Sequence, residues 1–154
     1  MAIFSVSTFI DKVVIALKAA NANTLAGVKI YDGPEIGVRY TGEAIAVGHD
    51  GNLDGDVFAA SGQNEYLSFG AQSLQEEGTV ECAIYSFSGT STLKVLRDRG
   101  YVLLAAVNTI ILTDNTFSSS VVFSGIKSHS LTYVYVENRI GVKISFSIFY
   151  QGLT

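Results

Sequence analysis

Thr90 to Asp114 reads TSTLKVLRDRGYVLLAAVNTIILTD, and its apolar residues recur at alternating intervals of three and four. This spacing is that of one face of an α-helix, so the segment predicts a long central helix. The residues on the predicted apolar face are Leu93, Leu96, Gly100, Leu103, Val107 and Ile110. The hydroxyl residues that can cap its N-terminus are Ser88, Thr90 and Ser91. Because further apolar residues widen this face, we expect a sheet on one side of the helix and a neighbouring subunit on another.

The chain before this helix predicts another helix and several short strands. Apolar residues at every fourth position after Ser5 or Ser7, either of which can act as the cap, indicate a first helix that ends near Ala20–Asn23. Strands are expected at Val28–Tyr31, which ends in a tight turn, within Arg39–Gly48, and at Thr79–Ser86. The last is apolar on both faces and is therefore expected to be central and covered on both sides. Val57–Gly70 has no clear period and is expected to be irregular or a broken strand.

After the central helix the apolar pattern changes to a period of two, which is typical of half-buried strands. The predicted strands are Val121–Phe123, Leu131–Val136 and Gly141–Tyr150, with a hairpin connection at Glu137-Asn138-Arg139. This order of elements predicts an α+β fold. We expect a single domain, residues 1–154, in which a mixed or antiparallel β-sheet packs against an N-terminal helix and the long central helix.

The composition favours a protein with large contact surfaces. Apolar residues make up 48% of the chain and charged residues only 16%, against about a quarter in an average domain. Five aromatic residues crowd the C-terminal strands: Tyr133, Tyr135, Phe146, Phe149 and Tyr150. We expect most of them in the core and the outward tyrosines to suit a protein interface. The net charge of −4 gives no sign of a basic nucleic-acid-binding surface. We see no secretion signal and no membrane span, and we expect a soluble protein made in a cytoplasm.

The sharpest local motif is a partial calcium loop at residues 50–55. Asp50, Asn52 and Asp54 stand at alternate positions before Gly55, as oxygen ligands do in the first half of such a loop. Position twelve is Ser61 where a bidentate glutamate is needed, and neither flank reads as a helix. A solvated turn is the favoured interpretation, and a cation site at Asp50, Asn52 and Asp54 is the weaker alternative.

The sequence contains no recognisable set of catalytic residues. His49 and His129 belong to no metal or triad motif, and Cys82 lies on the predicted central strand as a small buried hydrophobe. Glu76 and Glu77 are adjacent on an extended segment, so their side chains point in opposite directions and a solvated edge is expected. There is no phosphate-binding or dinucleotide-binding glycine motif. We therefore expect no enzyme activity and no cofactor.

Three segments carry a resemblance to a known family. They are VKIYDGP at residues 28–34, EEGTVECAIYSFSGTSTLKVLRDRGYVLLAAVNTIIL at 76–112, and TYVYVENRIGVKISFSIFY at 132–150. Together with the leading helix, their order resembles the small tail-terminator, or tail-completion, proteins of long-tailed bacteriophages. The resemblance covers nearly the whole chain as an order of elements, except for the loop Gly48–Gly70, which matches no pattern of the family.

This resemblance implies a structural protein of the virion. Such a subunit forms a ring, expected to be a hexamer, at the head-proximal end of the tail tube, where it stops polymerisation and contacts the tail tube protein and a head-completion or neck protein. DNA would only pass through the lumen, and an acidic lining would let it pass without sticking. The residues expected at the lumen or at an interface are Asp50, Asp54, Asp56, Glu76 and Glu77.

Two other classes of function remain open from the sequence. The chain could be another structural protein of the same particle, either a neck connector or the tail tube subunit. A tube subunit would stack without limit, whereas a terminator would stop at one ring. A small metal-binding or ligand-binding domain that uses the loop at residues 50–56 is the less favoured alternative.

Overall fold

The computed structural model describes residues 5–34, 42–52, 56–66, 74–88, 90–117, 121–136 and 139–153. In chain order, the elements are α1 (Val6–Ala19), a short 3₁₀ turn (Ala20–Ala22), β1 (Lys29–Asp32), β2 (Glu43–Val47), β3 (Ala60–Tyr66), β4 (Leu74–Ser88), α2 (Leu93–Thr113), β5 (Phe123–Val136) and β6 (Arg139–Leu153). This arrangement confirms the predicted α+β fold with an N-terminal helix and a long central helix.

The six strands form one mixed sheet in the order β1-β2-β4-β6-β5, and β3 pairs with β4 beyond the end of β2. The β1–β2 pair is parallel, and the other pairs are antiparallel. β4 is therefore central, as predicted, and its neighbours are β2 and β3 on one side and β6 on the other. In the hairpin β5–β6, Val136 pairs with Arg139 across the predicted connection, which confirms the hairpin; the two residues between them lie outside the described residues.

Both helices cover the same face of the sheet, and the main core lies between them and that face. The largest contributors from the strands alternate along β4 and β6, as a period of two requires. They are Val80, Cys82, Ile84, Ile144, Phe146, Ile148 and Tyr150. From α2 the buried residues are Leu96, Gly100, Leu103, Leu104, Val107 and Ile111. A Cβ on Gly100 would lie 2.9 Å from Cδ1 of Ile144, which explains why glycine is on the apolar face: α2 approaches β6 closely there.

The N-caps of both helices differ from the predictions. Thr92 caps α2, since its Oγ1 accepts a hydrogen bond from the Val95 backbone N–H at 3.4 Å. Ser88, one of the expected caps, instead accepts bonds from the backbone N–H groups of Thr90 and Ser91 in the preceding turn. Ser5 occupies the N-cap position of α1 but makes no capping bond with its side chain. Its partner is a distant carboxylate, described below.

The bounds of three predicted strand segments differ in the structure. Two separate strands were expected at Val121–Phe123 and Leu131–Val136. The structure has one continuous strand, Phe123–Val136, with an irregularity in register between Ile126 and Ser128. β4 begins at Leu74, so residues 74–78, which precede the predicted strand Thr79–Ser86, are also part of the central strand. The segment without a period contains the regular strand β3, although residues 67–70 lie outside the described residues. Pairing with β4 and β6 creates these strands where the local pattern is weak.

The sheet face opposite the helices, here called the open face, has a smaller apolar cluster. Its buried members are Ala44, Ala46, Ala83, Tyr85 and Phe87, with Tyr31 and Val134 packed beside them. Tyr85 stacks on Phe87 with ring centroids 5.9 Å apart. A Cβ on Gly141 would fall inside the Phe87 ring, so glycine makes room for that ring. β4 is thus covered on both faces, as its apolar pattern predicted.

Candidate assembly surfaces

The partial calcium motif forms a turn whose side chains bind its own backbone. Asp50 Oδ1 accepts from the Asn52 N–H at 2.9 Å, and Oδ2 accepts from the Phe58 N–H at 3.1 Å. Asn52 Nδ2 donates to the Asp56 carbonyl at 3.1 Å. Partial burial raises the pKa of Asp50, but these backbone bonds and the neighbouring His49 outweigh it, so the pKa lies below its ordinary value. Asp50 and Asn52 thus bind the backbone of their own loop, as residues of a turn do, whereas residues 53–55, which include Asp54, lie outside the described residues.

Neither a metal centre nor a ligand cavity stands out in the described part of the chain. No group of three or more His, Cys, Asp or Glu residues there could hold a metal ion. A groove of about 180 Å³ lies between α1 and the end of α2, lined by Lys12, Ile15, Ala16, Ile110, Asp114 and Phe117. Ligand sites for drug-sized molecules usually measure about 300–1,000 Å³, so this groove is small for such a ligand.

Glu76 corrects the prediction of a solvated edge, because its side chain is only 2% exposed. Its Oε2 accepts from the backbone N–H and the hydroxyl of Ser5 at 2.6 and 2.5 Å. Its Oε1 accepts from the Tyr150 hydroxyl at 2.9 Å. The carboxylate thus caps α1 from the central strand, where the positive end of the helix dipole favours an anion. Glu76 is enclosed within the subunit and cannot present its charge to a lumen.

Three glycines leave room for this buried network. A Cβ on Gly78 would lie 2.6 Å from the Tyr150 hydroxyl, and one on Gly152 would lie 2.7 Å from the Ser5 hydroxyl. Gly62 also faces the Tyr150 hydroxyl, at 3.3 Å. Burial, followed by the hydrogen bond to Glu76, raises the pKa of the Tyr150 phenol. The sequence gives no local signal of this network, because its partners are 71 and 74 positions apart.

The other titratable candidates are dispersed through the structure. Burial raises the pKa of the Cys82 thiol to about 12, so Cys82 is the small buried hydrophobe that was predicted. His49 is buried in the turn before Asn52, whereas His129 is exposed on β5, with its Nδ1 3.4 Å from the Tyr101 hydroxyl. Glu77 is exposed and accepts a bond from Gln75 Nε2 at 2.8 Å. The structure does not bring these groups together into a catalytic arrangement.

The outer edge of β5 is the first of two exposed surfaces that suit a partner. Among the described residues, β5 pairs with β6 on one side and with no strand on the other. From residue 128 to residue 136 it contains no acidic residue, lysine, arginine or proline, the residues that commonly protect a free edge. Tyr135 is 70% exposed, and Tyr133 is also exposed, with its hydroxyl accepting a bond from Arg97. We call residues 128–136 the β5 edge.

The outer side of α2 is the second surface. Its exposed apolar residues follow a spacing of seven, three and seven positions, which keeps them on one side of a helix. They are Val95, Val102, Ala105 and Leu112, and we call them the α2 stripe. Leu112 is 70% exposed. The stripe points away from the sheet, opposite the buried face of the same helix.

Carboxylates collect on the open face of the sheet. Residues that pair across antiparallel strands lie on the same face, and Glu65 pairs with Gln75 while Gln63 pairs with Glu77. Glu81 follows on that face of β4 and accepts a bond from the Ser147 hydroxyl at 2.8 Å. The Asp50 turn lies over the same face, held by β6. Three of the carboxylates that were expected at a lumen or an interface are at least partly exposed in the structure: Asp50, Asp56 and Glu77.

The chain was compared with protein-family models and with curated proteins. No protein-family model matches it, and no curated protein matches it. Within the described residues, none of the helices combines the length and the apolar character that a membrane crossing requires.

Proposed function

We propose that this protein is a structural subunit that assembles into a closed ring at the head-proximal end of a bacteriophage tail tube. There it would end tube polymerisation and form the joint to the neck. The observation that carries this proposal is the presence of two different exposed surfaces on one subunit: the β5 edge, a strand edge with two exposed tyrosines, and the apolar α2 stripe.

The β5 edge supports self-assembly through its backbone. An unpaired strand leaves a row of N–H and C=O groups free to pair with another chain, and monomeric proteins block such rows with charges, proline or covering elements. The nine residues of this edge lack the first two, and they include aromatic and β-branched side chains that favour pairing across strands. A segment with these properties in a soluble subunit is best explained by burial in an assembly.

The α2 stripe supports a ring in preference to a simple dimer. A two-fold dimer can bury one patch against the same patch of its partner, whereas a ring joins two different patches in a head-to-tail manner. The β5 edge and the α2 stripe differ in structure and in position, which is the arrangement that a heterologous contact needs. The ring size expected from the family resemblance is six.

The carboxylates of the open face support an orientation in the ring. Asp50, Asp56, Glu77 and Glu81 lie on or over that face, and acidic groups repel the phosphates of DNA. We infer that the open face lines the lumen. Glu76, which the sequence analysis also expected at the lumen or an interface, is excluded because it is buried within the subunit.

The test is the mass of the purified protein by light scattering over a range of concentrations, with negative-stain images of any oligomer. Closed rings near six subunits that do not elongate would support the proposal. Open-ended tubes would indicate the tail tube subunit. If the chain is a monomer alone, it should still halt the growth of tubes when mixed with tube subunits, and failure in both assays would contradict the proposal.

Two variants test the surfaces themselves. Tyr135→Lys places a charge on the β5 edge and Leu112→Lys places one on the α2 stripe, and both side chains are exposed enough for the subunit to stay folded. Each is expected to abolish ring formation or docking on the tube tip. The matched control is Phe58→Lys, which changes an exposed aromatic residue outside both surfaces. Assembly that survives the first two changes, or fails equally in the control, would remove the assigned interface.

A further inference from the structure

The loop at residues 48–52 is held on the open face by side chains from β6. Lys143 Nζ donates to the Gly51 carbonyl at 2.9 Å, and the Ser145 hydroxyl donates to the Asp50 carbonyl at 3.2 Å. A Cβ on Gly51 would lie 2.7 Å from the Ser145 hydroxyl oxygen and 2.9 Å from Cδ of Lys143. The loop is therefore pressed against β6, and glycine at position 51 allows this approach.

His49 closes the same loop from within. Its side chain is 2% exposed, and its Nδ1 lies 2.8 Å from the backbone nitrogen of Gly51. A backbone N–H can only donate, so Nδ1 is the acceptor and the imidazole is neutral with its proton on Nε2. The ring also packs edge-on against Tyr85, the largest residue of the open-face cluster, with centroids 6.1 Å apart.

Protonation of His49 would remove this arrangement. A protonated Nδ1 is a donor and cannot accept the Gly51 N–H, so two donors would face each other. The new charge would also lie beside the Lys143 ammonium, which contacts the neighbouring carbonyl of the same loop. The other charged or titratable groups of the described residues around it are Asp50 on the loop and Glu81 and Tyr85 on β4.

We propose that His49 is a pH-sensitive latch, whose protonation releases the loop at residues 48–52 from β6 and uncovers Tyr85 on the open face. The inference stands on the contacts of one subunit and does not depend on the assembly proposed above. It also gives a role to His49, a buried histidine that belongs to neither the β5 edge nor the α2 stripe.

The direction of the pH effect follows from the environment of His49. Burial lowers the pKa of His49 below its ordinary value of 6.5; Asp50 opposes this effect and Lys143 adds to it. The closed loop therefore binds fewer protons than the open loop as the pH falls through about 6.5. The closed state is fully favoured above that value and loses stability below it.

The test is amide hydrogen exchange of the full chain at about pH 7.5 and about pH 5.0, the range in which histidine changes its charge. Rates are corrected for the intrinsic effect of pH, and peptides from β6 serve as the internal reference. In the wild type, peptides that contain residues 48–52 should lose protection at the lower pH while β6 keeps its own. Equal loop protection at both values would overturn the proposal.

Two variants separate His49 from other titrating groups. His49→Asn keeps an oxygen that can accept the Gly51 N–H but does not titrate, so its loop should keep its protection at the lower pH. His129→Asn removes the exposed histidine of the β5 edge, and the protection of residues 48–52 in this variant should depend on pH as it does in the wild type. Loss of loop protection at low pH in His49→Asn would contradict the latch.

A measurement on the unchanged protein covers the case in which His49→Asn does not fold. Imidazole nitrogen chemical shifts should show His49 as the Nε2–H tautomer at neutral pH, and the titration midpoint of His49 should lie below the ordinary histidine pKa of 6.5. A His49 ring that is protonated on Nδ1 at neutral pH, or that titrates at or above 6.5, would overturn the proposal.

Discussion

The two faces of the sheet are stabilised in different ways. The helix-covered face is packed with apolar side chains, among them Leu103 of α2 and Phe146 of β6, and the buried carboxylate of Glu76 on this face has three donors. The open face has a small apolar cluster around Tyr85, and beside it serine, lysine and carboxylate groups bind a loop. The difference indicates that stability comes chiefly from the helix-covered face. The open face and the β5 edge, which has no strand partner among the described residues, are then available for contacts with other chains and for conformational change.

The largest effect is expected from Leu103→Ala, which opens a cavity between α2 and the sheet. Leu103 is fully buried, and such a truncation costs about 2–5 kcal/mol of unfolding free energy. Val102→Ala, one position earlier but on the exposed α2 stripe, should change the stability of the isolated subunit by less than about 0.5 kcal/mol. Urea unfolding measures both. Equal losses would mean that α2 does not pack as described.

An intermediate effect is expected from Glu76→Gln. One of the acceptor oxygens becomes an NH₂ group that meets the donors of Ser5 or Tyr150, so a cost of about 1–3 kcal/mol follows. Glu77→Gln is the matched control on the adjacent, exposed residue and should change stability by less than about 0.5 kcal/mol. Thermal or urea unfolding of the two variants compares them directly. An unfolding free energy that does not change in Glu76→Gln would show that the carboxylate is not buried in this network.

The smallest effect is expected on the open face, from Ser145→Ala. The change removes one hydrogen bond to the Asp50 carbonyl from a half-buried hydroxyl, which is worth about 0.5–1.5 kcal/mol. Ser130→Ala, at the position paired with Ser145 across the hairpin but exposed on β5, is the control and should have almost no effect. Unfolding experiments give the difference, and a loss as large as that of Leu103→Ala would contradict the proposed contrast between the faces.

Several features of the fold could be predicted from local pattern alone. The periods of three and four in α2 and of two in β6 each bury one side of an element, so they specify the element and its inner face. The apolar character of both faces of β4 likewise predicted its central place in the sheet. The Asp50 turn was predictable too, because asparagine and aspartate side chains bind backbone groups only two residues away.

Other features were decided by partners distant in the sequence. Residues 124–130 of β5 have no strand pattern of their own. They are extended because β5 pairs with β6 from Phe123 to Val136, apart from the irregularity between Ile126 and Ser128. Glu76 looked solvated because a carboxylate is usually exposed, and only the donors of Ser5 and Tyr150 allow its burial. The two exposed surfaces also emerge only in three dimensions. Sequence periodicity determined the two helices, β4 and β6 and the sides that they bury. Tertiary pairing formed β3 and the first part of β5, decided which polar groups could leave water, and left the outer edge of β5 without a strand among the described residues.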